Sequence, residues 1–371
     1  MSDLLPLLAA GRADVLRAVM AESGCDGVLV IDPVDARWLT GFGGSNARVA
    51  VTPDDIVVVT DGRYRDRAVV ELTAAGVEAT IVVRSTRDEQ IAAVVEAMKG
   101  CRQVGMSAGT TSHAEWIELA RDLPLKAGDD AIASVRRAKN DAEIQRMAIA
   151  AAAADAALAE CAPLMGTGVT EADIRDELEY RMRCHGADGA GYDTIVASGP
   201  EHAARPHHEV SRRVIIEGDT VVIDVGASVD GYRSDMTRSY VIGDPTPQQA
   251  EIYDLVAQSQ QAGLDRLAAG VACVDIDQAC REVCERAGYS DWYLHSAGHG
   301  VGLRIHEEPF LSPTSHAIVR AGDVVTVEPG LYRGGFGGFR IEDLVVVSDT
   351  GLRVLTSSPK DTPCLPSPPT I

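Results

Sequence analysis

Residues Asp219–Ile242, DTVVIDVGASVDGYRSDMTRSYVI, read as two strands folded about a tight turn. TVVIDV is a β-branched apolar run that carries a single acid, Asp224. Asp230-Gly231 is the two-residue signal for a hairpin turn, which needs positive φ at its centre. Centring the hairpin on that pair sets Asp224 opposite Thr237 and Asp235 opposite Gly226. Strand side chains alternate between faces, so Asp235 shares the face of Thr237 and therefore of Asp224. The two aspartates are then diagonal neighbours, about 7–8 Å apart at the backbone. Two partly buried anions at that spacing repel unless one is protonated or a cation lies between them.

Two more acids stand in similar settings. DVVTVEPGLY (Asp323–Tyr332) predicts a strand ending on Glu328, followed by a Pro-Gly turn. GGFRIEDLVVV (Gly337–Val347) predicts a second strand carrying Glu342, with Arg340 two residues earlier on the same face. RGGFGG (Arg333–Gly338) is the flexible link between them. Histidine is concentrated nearby. Of nine in the chain, seven fall between His202 and His316, and HSAGHGVGLRIHEEP (His295–Pro309) holds three, His295, His299 and His306. Its glycines read as positions where backbone and substrate approach a crowded site. Four carboxylates with an imidazole suit divalent Mn, Co, Fe or Zn, and four carboxylates suit two ions better than one.

The first 135 residues alternate helices and strands in an α/β pattern. LLPLLAAGRADVLRAVMAES, RDRAVVELTAAG and DEQIAAVVEAMKG predict helices; DGVLVI, ARVAVT, DIVVVTD and EATIVV predict strands. The glycine-rich RWLTGFGGSNA (Arg37–Ala47) lacks the spacing of a phosphate loop and reads as turn chemistry. Asn140 or Asp141 caps a long helix, so the boundary is placed at 135, giving domains 1–135 and 136–371. The second domain predicts helices near 142–162, 170–185, 246–269 and 274–287, and strands near 219–226, 235–242, 323–328 and 340–348. The tail SSPKDTPCLPSPPTI, with five prolines, is expected to be frayed or extended.

A net charge of −21, from 34 basic and 55 acidic groups, argues against nucleic-acid or anionic-membrane partners. No secretory leader is legible, and no run approaches the ~20 apolar residues of a membrane span; the alanine-rich stretch near Met147–Leu158 carries Asp155. Eight scattered cysteines read as reduced thiols, with Cys280 and Cys284 on one helix face, which places the protein in the cytoplasm. His202 and His316 read as surface residues, His208 as a loop residue, and His113 and His185 as helical without a partner.

From VRRAKNDAEI to RIEDLVVV the chain resembles the metal-dependent Xaa-Pro peptidases of the pita-bread family, to which methionine aminopeptidase and creatinase also belong. The matching spans, in order, are ASGPEHAARPHH, IDVGASVDGYRSDMTRSY, GHGVGLRIHEEP, TVEPGLY and FRIEDLV. WLTGFGGSNA and TDGRY (Thr60–Tyr64) resemble the creatinase-like N-terminal domain of prolidases and aminopeptidase P. The resemblance implies an α/β N-terminal creatinase-like domain, an α+β pita-bread catalytic domain of pseudo-twofold form, and a homodimer. It implies five metal ligands, Asp224, Asp235, His299, Glu328 and Glu342. Asp235 and Glu342 would bridge two ions, Mn first, with Co, Zn or Fe tolerated. It places His207, His306, His295, Arg340 and Tyr332 beside them.

The implied reaction is hydrolysis of the Xaa-Pro bond of dipeptides or short peptides by a metal-bridging hydroxide. Glu328 would relay the proton, His306 would help to stabilise the oxyanion, and His207 would meet the leaving-group side. HHEVSRR (His207–Arg213) departs from the Gly-Pro continuation of many relatives, so the substrate-side loop differs here. Two alternatives stay open. One is a methionine-type or broader aminopeptidase, which the extra N-terminal domain disfavours. The other is a non-catalytic peptide-binding module, which retention of the whole ligand set disfavours.

Overall fold

The computed structural model describes residues 4–128 and 131–366, and the chain divides into two units, Met1–Arg136 and Arg137–Ile371. The first unit holds a six-stranded mixed sheet in the order Thr80–Val83, Ile56–Thr60, Arg48–Val51, Gly27–Val30, Val104–Met106, Leu125–Ala127. ARVAVT and DIVVVTD form the expected antiparallel hairpin. Leu29, Ala50, Val59, Val94 and Met106 build its core. The first helix starts later than its apolar residues suggest. It runs Arg12–Glu22, because Gly11 at its N-cap lies at φ +81°. Part of the glycine-rich stretch is helical too: Pro33–Thr40 is capped by Asp32, whose carboxylate accepts from the Val34 and Asp35 amides.

In the second unit the opening hairpin forms in the register its sequence predicts. Asp224 pairs with Thr237, and beyond it Ser228 pairs with Arg233. Asp230 (φ +51°) and Gly231 (φ +76°) supply the two left-handed residues of the turn. The ladder is interrupted after Asp224. Thr220–Asp224 and Thr237–Val241 join Ile195–Ser198 in one sheet, whereas Ala227–Val229 and Tyr232–Arg233 join Gly189–Ala190 in another. A five-stranded sheet follows the order Glu307–Leu311, Gly298–Gly300, Val324–Val327, Asp343–Ser348, Gly351–Val354.

Each half has its own apolar core. Helices Asp141–Cys161 and Glu171–Cys184 pack on the first set of strands through Ala154, Leu158, Leu178, Val221 and Ile223. Helices Pro247–Arg266 and Cys273–Arg286 pack on the second through Ile252, Val256, Ile276, Val325 and Val345. All eight cysteines are free, and Cys280 and Cys284 are buried together. The halves are joined by buried polar contacts. Arg238 donates to Asp343 Oδ1 (2.8 Å), to the Glu342 carbonyl (2.6 Å) and to the Ser358 carbonyl (2.8 Å). Such a guanidinium is tolerated inside because its donors are met by oxygens.

One expectation needs correction and others gain a physical basis. GGFRIEDLVVV is not one strand. Gly337–Arg340 pairs with Gly330–Arg333 as a separate hairpin across RGGFGG, and the chain breaks at Ile341–Glu342 before Asp343–Ser348. The break lets Arg340 serve one sheet while the strand after Glu342 pairs with Val324–Val327. Asp141–Leu164 is long and apolar enough, by length and composition, to cross a membrane. Its buried face is instead core, and Asp155 accepts from the amides and hydroxyls of Ser357 and Ser358. Those bonds also hold the start of the proline-rich tail, where the Val241 amide donates to the Pro363 carbonyl (2.8 Å). Residues 367–371 of that tail lie outside the described residues. The glycines of the histidine segment answer to backbone packing: a Cβ on Gly298 would sit 2.1 Å from the Thr326 carbonyl oxygen, and one on Gly300 2.4 Å from that of Glu308.

Candidate metal centre and active site

The strand ends and the break at Ile341–Glu342 converge on one cavity of about 490 Å³. Its lining includes Asp224, Asp235, His299, Glu328 and Glu342, together with His207, His295, His306 and Arg340. Nine of the ten side chains expected from the sequence therefore meet there, and the tenth, Tyr332, stands behind them on His295 and Arg340. Asp224 comes from the end of one hairpin strand and Asp235 from the segment before the other. His299 comes from the middle of Gly298–Gly300, Glu328 from just beyond Val324–Val327, and Glu342 from the break before Asp343–Ser348.

Asp235, His299 and Glu342 each offer a donor atom, and those atoms lie within 4.8 Å of one another. His299 Nε2 is 3.6 Å from Asp235 Oδ2 and 3.4 Å from Glu328 Oε1. The His299 Nδ1–H donates to the Gly300 carbonyl (3.1 Å), which leaves the Nε2 lone pair facing the carboxylates. Burial lowers the His299 pKa, so the neutral, ligating form is favoured. Thr237 Oγ1 donates to Glu342 Oε2 (2.7 Å) and orients it.

The donor set fits a divalent cation. Burial first, then the charge on Asp224, pushes the Asp235 pKa well above the usual carboxylate range. Burial and then Asp235 do the same to Glu342, and burial raises Glu328. Against four carboxylates the cavity sets one guanidinium, Arg340, and that is committed: its Nη2 lies 2.5 Å from Asp224 Oδ2. Carboxylate oxygens crowded against their own repulsion around a neutral imidazole are a site for hard cations.

Arg340 also organises the auxiliary groups. Its Nη1 donates to Tyr332 Oη (2.9 Å) and to the Pro206 carbonyl (2.8 Å), beside His207. Tyr332 Oη lies 2.9 Å from His295 Nε2, and His295 Nδ1–H donates to the Ser296 carbonyl (2.8 Å). The Tyr332 hydroxyl thus donates to His295 and accepts from Arg340. Burial lowers the His295 pKa, keeping that acceptor nitrogen neutral. His306 packs edge-on against His299, ring centres 4.4 Å apart. Loss of hydration in the cleft, then His299, lowers its pKa as well.

Sequence reasoning missed Tyr192, whose Oη lies 2.5 Å from both Asp224 Oδ1 and Asp235 Oδ1. Nothing in the local pattern flags it. It also missed Glu171, on which the whole His207 loop is fastened. Glu171 is fully buried and accepts from the amides and hydroxyls of Ser198 and Ser211, from His202 Nδ1 (2.9 Å) and from His208 Nε2 (3.2 Å). His202 and His208, stacked with ring centres 4.0 Å apart, are therefore neither surface nor plain loop residues. His185 is likewise paired, with Glu160 (2.9 Å).

Burial works against Glu171 ionisation, but the Ser211, Ser198 and His202 hydrogen bonds outweigh it and bring the pKa from 4.5 down to about 2. A depressed folded-state pKa stabilises above the unfolded value of 4.5 and loses that contribution as pH falls through about 2. Unfolding free energy measured by urea titration should therefore fall between those limits in the wild type. It should fall less steeply in Glu171→Gln; equal slopes would dismiss the anchoring role.

These features define a metallopeptidase with a two-domain plan. Residues 145–349 match the model of metallopeptidase family M24, residues 12–138 match the creatinase/prolidase N-terminal domain, and the chain belongs to family M24. The Xaa-Pro dipeptidase of Pyrococcus furiosus is 32% identical over 356 residues, covering 94% of this chain and 99% of that protein. A structure of the Xaa-Pro dipeptidase from Bacillus anthracis superposes with TM-score 0.91 at 33% identity, covering 95% of this chain and 99% of that one. The X-Pro aminopeptidase from Thermotoga maritima gives TM-score 0.84 at 30% identity, with 94% and 98% covered.

Proposed function

We propose that the protein is an exopeptidase that hydrolyses the bond before proline in short peptides beginning Xaa-Pro. The observation that carries this reading is the convergence of Asp224, Asp235, His299, Glu328 and Glu342 in one cavity. The names of its relatives support the Xaa-Pro preference. Those five residues would hold two divalent ions, Mn first by their hardness, with Asp235 and Glu342 shared between them. When bound, such ions supply Lewis acidity that acidifies a water and polarises the scissile carbonyl.

The chain's own groups do the rest. Glu328 Oε1, beside His299 Nε2, takes the proton of the attacking water and passes it to the leaving nitrogen. His306, at the rim, donates to the developing oxyanion. His207 meets the proline side, and a tertiary amide asks for a pocket rather than an N–H acceptor there. The His295–Tyr332–Arg340 chain holds Asp224 in place. A homodimer working on short peptides in the cytoplasm completes the reading, and eight free cysteines support that compartment.

The deciding experiment compares Ala-Pro with Met-Ala in Mn²⁺ or Co²⁺, before and after chelation. Hydrolysis of Ala-Pro alone, abolished by chelator and restored by metal, is expected. Chelator-resistant turnover, or Met-Ala cleaved as fast, would sink the proposal.

A further inference from the structure

A second cavity, of about 510 Å³, lies beside the catalytic one. The two share Asp193, Ile195 and His207 in their walls, so they adjoin at those residues. Its far wall is acidic: Asp176, Glu179 and Glu209 face it, with Arg175 as the one cation lining it among the described residues. Arg175 is spent on Asp176, with Nη2 2.6 Å from Oδ1. Glu179, Asp193 and Glu209 make no ion pair among the described residues. The wall also holds an unused polar group. Thr194 is 3% exposed and lines the groove, and its Oγ1 has no hydrogen-bond partner there. A turn about χ1 would offer that hydroxyl to a peptide backbone.

We infer that this groove receives the chain beyond proline, and that the enzyme prefers peptides longer than a dipeptide with a cationic residue after the proline. This rests on the Xaa-Pro reading above. An exopeptidase fixes the substrate's α-amine at the closed end, so any space continuing from the reacting bond belongs to the leaving peptide. Three unpaired carboxylates there repel the free carboxylate of a bare Xaa-Pro dipeptide and attract a lysine or arginine side chain. The HHEVSRR segment builds part of this wall through His207, His208, Glu209 and Val210, and Glu209 brings one of its carboxylates.

The test compares kcat/KM for Ala-Pro, Ala-Pro-Lys-amide, Ala-Pro-Glu-amide and Ala-Pro-Ala-amide with the Mn²⁺-loaded enzyme. Partly exposed charge pairs contribute little individually, so the lysine peptide should exceed the glutamate peptide by about 3- to 10-fold. In the double variant Glu179→Gln/Glu209→Gln that ratio should shrink toward one. The ratio is internal to each variant, so a loss of folded enzyme does not imitate it. Cleavage of Ala-Pro with none of the amides cleaved overturns the inference and leaves the Xaa-Pro reading intact. A lysine preference unchanged in the double variant also overturns it, since the charge of the whole chain would then be responsible. No cleavage of any of the four removes both readings.

Discussion

Asp235→Ala should abolish peptide hydrolysis and metal retention without unfolding the protein. Asp235 is 4% exposed and stands between Tyr192 Oη at 2.5 Å and His299 Nε2 at 3.6 Å. In the metal-free protein its charge is opposed by burial and by Asp224, so removing it relieves repulsion. The thermal midpoint of the metal-free variant should therefore equal or exceed that of the metal-free wild type. A tight ligand at 100 times its Kd adds about 2.7 kcal/mol of stability, and the variant should lose that gain. Its kcat/KM should fall by at least about 10³-fold, beyond the ~10- to 100-fold typical of groups that only orient ligands. Metal analysis after dialysis and differential scanning calorimetry with and without Mn²⁺ check both halves. A variant that keeps two ions, or that unfolds when metal-free while the wild type does not, would refute the bridging role.

Glu328→Gln should separate proton transfer from binding. Glu328 sits at the junction of Val324–Val327 and Gly330–Arg333, its amide donating to the Ala297 carbonyl (2.8 Å), so its backbone position does not depend on the carboxylate. Thr326 Oγ1, 3.4 Å from Oε1, stands beside it as a donor, and the amide oxygen of glutamine can accept there equally well. What glutamine cannot do is take up a proton. The expected outcome is a kcat lower by about 10²- to 10⁴-fold, the usual worth of a positioned general base. KM should move far less, since the other groups around the substrate remain. Steady-state kinetics on Ala-Pro at saturating Mn²⁺ decides it, and a kcat within tenfold of wild type would assign the proton to another group.

The two variants bear on residues of different legibility. Asp235 and Asp224 could be placed together from the sequence because a two-residue turn sets hairpin register, and register sets which side chains share a face. Thr237, directly opposite Asp224, was legible in the same way, although its bond to Glu342 was not. Glu328 and Glu342 could be recognised as acids in apolar strands, but the strand through Arg340 and Glu342 was drawn too long. No local pattern marks a chain that leaves one sheet at Ile341 and enters another at Asp343.

Local periodicity, turn chemistry and caps were readable in the sequence because they involve residues a few positions apart. They determined the helices, the central hairpin and the acids beside the apolar strands; the ordered motifs pointed to the family. Contacts between distant residues were decided only by the tertiary structure. Arg340 meets Asp224 across 116 positions, and Glu171 reaches His202 and His208 across 31 and 37. The same is true of the His299 tautomer, which its bond to the Gly300 carbonyl directs toward the carboxylates. Such pairings follow from which sheet faces pack together and from the need to satisfy every buried polar group once they do.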